Sequence, residues 1–132
     1  MRVAAALKVL VVDDNVDSAD SMVLLLEVQG HMARKAYGAA EAINVAGEFR
    51  PDLILLDLSM PLMSGYEAIT RLRDVVSSET LVVAAMTGFG LEEDRQKTRA
   101  AGFDAHLTKP VAPLELEAII ATADRMRAKD VI

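Results

Sequence analysis

The chain has no cysteine among its 132 residues, so it can form neither a disulfide nor a thiolate metal site. Any metal would have to be held by oxygen or by the two histidines. No apolar run approaches the ~20 residues of a membrane span. The apolar start also fails as a secretory signal. Lys8 interrupts it, and Asp13-Asp14 stand where a cleavage site needs small residues. A cytoplasmic protein with no membrane partner is expected. Positive charge is in short supply as well. With 14 basic and 20 acidic residues the net charge is −6, which argues against direct nucleic-acid binding. No glycine-rich phosphate loop follows the first apolar stretch, and Asp13-Asp14 would repel a pyrophosphate there. The chain shows no internal repeat, low-complexity tract or linker, so one domain over residues 1–132 is expected.

Hydrophobic residues make up 52% and charged residues 26%, the balance of a globular protein with a real core. Leu7–Val12 is β-branched and apolar, a buried strand. Asn15 can cap a helix in which Val16, Ala19, Val23 and Leu26 recur at helical spacing, and Gly30 stops it. Met32–Tyr37 is a more polar strand, suited to a sheet edge. Ala39–Ala46 is a short alanine-rich helix with Ile43 on its apolar face. Leu53-Ile54-Leu55-Leu56 is too short for a helix and reads as a strand buried on both faces, closed by Asp57. Ser64 can cap a helix containing Ala68, Ile69 and Leu72. Leu81–Met86 is a fourth strand. Leu91–Ala101 is helical but so polar that it must lie largely in water. Phe103–Thr108 is a fifth strand. Pro113 suits the first turn of a last helix with the stripe Leu116, Ile119, Ile120 and Ala123.

Strand and helix thus alternate five times. The pattern predicts an α/β fold, a doubly wound five-stranded parallel sheet with helices on both faces. Four strands end in a reactive polar group: Asp13-Asp14, Asp57, Thr87 and Lys109. In a parallel sheet these ends share one edge. The strand order 2-1-3-4-5, known from other doubly wound sheets, sets the four side by side, with a switch point between strands one and three.

Each residue alone has an ordinary explanation. Asp13-Asp14 and Thr87-Gly88 could be turns, Lys109 a solvated side chain and His31 an exposed loop residue. A carboxylate ending a buried central strand is different, because it is costly without a partner or a task. Asp57 is therefore the candidate nucleophile for a phosphoryl group. An aspartyl-nucleophile hydrolase would need a second acid two residues later, and that position is Ser59.

Val11-Val12-Asp13-Asp14-Asn15, Leu55-Leu56-Asp57-Leu58-Ser59-Met60-Pro61 with Gly65, Met86-Thr87-Gly88 and Lys109-Pro110 occur in this order, each at a strand end. Through them the chain resembles the response regulator receiver domain, the phosphoacceptor module of two-component signalling, over residues 7–128. The resemblance implies a flavodoxin-like fold and phosphorylation of Asp57. It implies a Mg²⁺ (or Mn²⁺) site made by Asp13 or Asp14, Asp57 and the Ser59 backbone carbonyl. Lys109 and the Thr87 hydroxyl would take phosphoryl oxygens, helped by the backbone N–H groups of Leu58 and Gly88. Thr87 would be the switch. Three positions before the lysine, where the family often has an aromatic switch residue, this chain has His106. Either His106 is the rotamer switch or Thr87 acts alone.

The implied phosphodonor is a histidine kinase or a histidine phosphotransfer protein. The implied output is a protein bound at the face of the fourth helix, fifth strand and fifth helix. No enzyme activity is implied beyond the chain's own phosphorylation and dephosphorylation. A receiver-like adaptor that keeps the fold without the chemistry is the alternative. The start at Met1 favours a stand-alone regulator over a domain cut from a hybrid kinase.

Overall fold

The computed structural model describes residues 6–60, 62–88 and 92–129. β1 (Lys8–Val12), β2 (Met32–Ala36), β3 (Leu53–Asp57), β4 (Val82–Thr87) and β5 (Ala105–Thr108) form one sheet in the order β2-β1-β3-β4-β5. Every pairing is parallel. The connections are α1 (Val16–Val28), α2 (Ala39–Phe49), α3 (Gly65–Val76) and α4 (Glu92–Ala100), and α5 (Pro113–Ala128) is the last element among the described residues. The expected fold class and strand order are both present. Parallel neighbours cannot be joined by a tight hairpin, and the helices serve as the crossovers.

The period of two along each strand divides the core between the faces. Val9, Val11, Leu53, Leu55, Val82 and Ala84 pack towards α1 and α5, on Ala19, Val23, Leu26, Leu116, Ile119 and Ala123. Leu10, Val12, Ile54, Leu56, Val83 and Ala85 face the other way, onto α2 and α3 with Ala42, Ala46, Ile69 and Leu72. All of β3 is buried, as a strand with both faces covered must be. Truncating one such leucine to alanine typically costs about 2–5 kcal/mol. β2 lies at an edge with Arg34 and Lys35 exposed, and these charges discourage pairing with a further strand.

Caps fix where the helices begin. The Asn15 side chain accepts a hydrogen bond from the Ser18 N–H at 3.0 Å, and the Ser64 hydroxyl accepts one from the Glu67 N–H at 3.3 Å. Pro113 stands in the first turn of α5. Some details differ from the sequence expectation. Val16 is 48% exposed, because it sits at the first turn of α1, ahead of the buried stripe. Tyr37 lies past the end of β2, and its hydroxyl donates to Asp20 at 2.7 Å. α2 continues to Phe49, which is buried. Leu81 and Phe103 are buried just outside β4 and β5. The expected α4 start at Leu91 falls outside the described residues. The helix is largely solvated from Asp94 on, except for Thr98, which is only 2% exposed.

His31 is not a free loop residue. Its Nδ1 accepts a hydrogen bond from the Leu7 N–H at 3.1 Å, at the end of the sheet opposite Asp57. Nearby, Arg127 of α5 donates to the Ala6 carbonyl at 2.7 Å and to Asp124 at 2.8 Å, and reaches Asp52 at 3.7 Å. Burial pushes the His31 pKa down; the Arg127 charge adds to this and Asp124 opposes it. A depressed folded pKa means that the stability from neutral His31 is present above about pH 6.5 and is lost as pH falls through the lower folded value. His31→Phe keeps a ring but removes the acceptor. In urea titrations at pH 8 it should lower stability by about 1–2 kcal/mol. Between pH 7 and pH 5 it should lose less stability than the wild type does. Equal pH slopes in the two proteins would show that His31 is not the group responsible.

Candidate functional site

β1, β3, β4 and β5 deliver their carboxyl ends to one edge because the sheet is in register. Val12 pairs with Leu56, Leu56 with Ala85, and Ala85 with His106. One residue outward are Asp13 and Asp57, the latter paired with Met86; Thr87 follows Met86 at the end of β4, and Lys109 lies just past β5. Asp13 and Asp57 are each 2% exposed, the only buried carboxylates among the described residues. Asp14 is exposed. Oxygen atoms from Asp13, Asp14 and Asp57 lie within 4.8 Å of one another.

Lys109 joins the two buried acids. Its Nζ is 2.7 Å from Asp13 Oδ2 and 3.4 Å from Asp57 Oδ2. The backbone holds it in place, since the Lys109 N–H donates to the Thr87 carbonyl at 2.7 Å. On its other oxygen Asp57 accepts the Ser59 N–H at 3.0 Å and the Ser59 hydroxyl at 2.9 Å. Asp13 Oδ1 accepts the Asn15 N–H at 3.0 Å.

These contacts separate the two carboxyls. Burial acts to raise the Asp57 pKa, but the Ser59 N–H and hydroxyl, with the Lys109 charge and a bond from Asp13, outweigh it and hold the group below its ordinary value. The charged form of Asp57 is thus favoured despite its burial. Burial pushes the Asp13 carboxyl up, and Lys109 and the Asn15 N–H only partly counter it. Burial also disfavours the Lys109 charge, yet the two acids overcome this and raise its pKa, so it stays a cation.

The donor set suits a hard divalent cation. Three carboxylates converge with no thiolate or imidazole among them, and Mg²⁺ and Mn²⁺ prefer oxygen. Asp13, Asp14 and Asp57 are the residues that could hold it. Ser59 is adjacent and exposed, so its backbone is accessible.

Thr87 and His106 form one unit. Thr87 Oγ1 is 2.8 Å from His106 Nε2, and His106 Nδ1 is 3.3 Å from Thr98 Oγ1. The two candidate switch residues are thus in direct contact with each other. The role expected for the Leu58 N–H is corrected. That group donates to the Met86 carbonyl at 3.1 Å, continuing the β3–β4 ladder, and is turned away from the acids. The Ser59 N–H is the donor that faces Asp57. Gly88 is exposed, and a Cβ built there would meet nothing within 4 Å.

Gly65 has a function that the sequence reading left unassigned. A Cβ built at this position would fall 2.5 Å from Leu58 Cδ2, 3.0 Å from Leu58 Cα and 3.1 Å from the Asp57 carbonyl. Only glycine lets α3 start this close to the strand end that carries Asp57. Its position eight residues after the acid was the available signal. Thr98 left no signal, because it lies in a run of charged residues.

The chain is similar to known proteins. The family model described as the response regulator receiver domain matches residues 9–121. A protein of Leptolyngbya boryana, described as an uncharacterized 14.6 kDa protein in the sodA1 3′ region, is 41% identical over 116 residues, 88% of each chain. The polar-differentiation response regulator DivK of Brucella anthropi is 33% identical over 104 residues, 79% of this chain and 85% of that one. Among solved structures, the chemotaxis protein CheY4 of Vibrio cholerae superposes with a TM-score of 0.82 at 28% identity, covering 90% of this chain and 99% of that chain. A chain from the Saccharomyces cerevisiae complex of the phosphotransfer protein Ypd1 with the receiver domain of Ssk1 superposes at 0.86 and 28% identity, covering 96% and 94%.

The raised Asp13 pKa has a consequence for stability. An acid whose folded pKa is raised destabilises the folded state once ionised, and relief comes as pH falls through that value. Without divalent cations, Asp13→Asn should therefore melt higher than the wild type at pH 7. The difference should fade towards pH 4. Adding Mg²⁺ should raise the wild-type melting point more than the variant's; a ligand at ten times its dissociation constant contributes about 1.4 kcal/mol. Equal Mg²⁺ responses would exclude Asp13 as a ligand.

Proposed function

The chain belongs to the response regulator receiver domain family, and we propose that Asp57 is its phosphoacceptor, charged by a phosphohistidine protein in a reaction that depends on Mg²⁺. One observation carries this reading. Asp57 is a buried carboxylate held ionised by Ser59 and Lys109 beside two further acids. No packing requirement explains that cluster, and repulsion among the acids works against stability.

The chemistry follows from the contacts. A carboxylate oxygen of Asp57 attacks phosphorus in line, the P–N bond to the donor imidazole breaks, and the imidazole nitrogen keeps the electron pair and takes up a proton. The transition state is loose, so the site mainly positions the group and neutralises its equatorial oxygens. Lys109, already between Asp13 and Asp57, can pivot to one of these oxygens. The Ser59 N–H can serve a second and the Thr87 hydroxyl a third. A bound divalent cation would supply further charge neutralisation through Asp13, Asp14, Asp57 and the Ser59 carbonyl.

Signalling rests on Thr87. Drawn to the phosphoryl group, it pulls on His106 of β5, and His106 contacts Thr98 of α4. The face made by α4, β5 and α5 is the output surface in this reading, and a protein is its partner. No helix among the described residues is long and apolar enough to cross a membrane. In this reading the chain works in the cytoplasm and catalyses only its own phosphorylation and dephosphorylation. A Saccharomyces cerevisiae relative crystallised with a histidine phosphotransfer protein supports a donor of that class.

Incubation with acetyl phosphate and Mg²⁺ should add the mass of one phosphoryl group. Asp57→Asn, or chelation of the metal, should abolish the gain. A gain that persists in Asp57→Asn would place the acceptor elsewhere. No gain from acetyl phosphate or from a panel of phosphorylated histidine proteins would make the chain a phosphate-independent adaptor.

A further inference from the structure

Thr98 belongs to the most polar helix of the chain, yet it is 2% exposed. Its hydroxyl donates to the Arg95 carbonyl at 2.9 Å, within its own helix. A hydroxyl has one proton, so towards the ring Oγ1 can only accept. His106 Nδ1 stands 3.3 Å from that oxygen and must carry the hydrogen between them. In the neutral ring this leaves Nε2 bare. Nε2 is 2.8 Å from Thr87 Oγ1, so the Thr87 proton points at His106.

We propose that Thr98 is a positioning residue: by fixing the Nδ1–H tautomer of His106, it ties the Thr87 hydroxyl proton to the ring and away from Asp57. This rests on the reading of Asp57 as phosphoacceptor. The chain of donors runs Thr87 to His106, His106 to Thr98, and Thr98 to the Arg95 carbonyl, in one direction only. For Thr87 to donate to a phosphoryl oxygen, its bond to Nε2 must break, or the ring must turn into a donor there. A ring that moves its hydrogen to Nε2 loses the bond to Thr98. Phosphoryl capture by Thr87 is therefore coupled to the seat of the α4 residue Thr98 through hydrogen bonds as well as through ring position. A cavity of about 330 Å³, lined by Arg95, Thr98, Arg99, Phe103 and His106 among others, lies beside the ring and gives it room to reseat. His106 thereby acts on the Thr87 hydroxyl as well as on the output face.

The test reads the ring directly. The chain has two histidines, and His106→Phe identifies the His106 signals in ¹⁵N spectra of histidine-labelled protein. At pH 7.5 without phosphodonor, the wild type should show the Nδ1–H tautomer. Thr98→Ser, which keeps the hydroxyl, should look the same. Thr98→Val, which keeps the shape and removes the acceptor, should move the ring towards Nε2–H. In the acetyl phosphate assay, Thr98→Val should gain phosphate about fivefold faster, the equivalent of one ordinary hydrogen bond no longer to be broken. Thr98→Ser should match the wild type. A wild-type ring in the Nε2–H form, or one unchanged by Thr98→Val, would overturn the proposal. So would a changed tautomer with an unchanged rate. Failure of Asp57 as acceptor would show differently, as no mass gain in any variant, and the tautomer would still decide the role of Thr98.

Discussion

One ammonium group placed between two buried carboxylates governs this molecule. Lys109 lies 2.7 Å from Asp13 and 3.4 Å from Asp57, at the end of a sheet whose strands are otherwise apolar. Buried acids without a cation would be strongly destabilising. With Lys109 and the Ser59 donors present, Asp57 stays charged while sheltered from most of the solvent. A phosphoacceptor needs that condition, being nucleophilic, positioned and poor in competing water.

The sheet exists in the form this contact requires. Parallel strands in register bring four ends to one place, and helices on both faces give the strands an apolar environment that fixes the register. Gly65 lets α3 begin against the Asp57 backbone, so Leu58, the residue after Asp57, has little freedom. At the opposite end of the sheet, Arg127 ties α5 to the start of β1 and approaches Asp52 before β3. One end of the sheet carries closure contacts and the other carries the cluster of Asp13, Asp14, Asp57 and Lys109.

Much of this was legible in the sequence because it depends on pattern. Four apolar residues ending in Asp57, and the alternation of strand and helix, specify a buried parallel sheet and its reactive edge. What was not legible depends on single hydrogen bonds. The Leu58 and Ser59 N–H groups are neighbours in sequence, but the turn after β3 aims one at the Met86 carbonyl and the other at the Asp57 carboxylate. His31 carries no marker of its bond to the Leu7 N–H, which spans 24 positions. Thr98 is concealed by its charged neighbours, and its burial follows from how α4 sits against β5. The sequence pattern places elements on faces, whereas the direction of one donor is set only when the faces meet.

The most direct measurement of the central claim is chemical trapping of the acyl phosphate. The chain is phosphorylated, reduced with borohydride, digested and sequenced by mass spectrometry. Reduction of an aspartyl phosphate leaves homoserine at the acceptor position. The account predicts homoserine at position 57 and unmodified aspartate at 13 and 14. Homoserine at Asp13 or Asp14, with Asp57 intact, would contradict it, because the buried, ionised carboxylate would then not be the nucleophile.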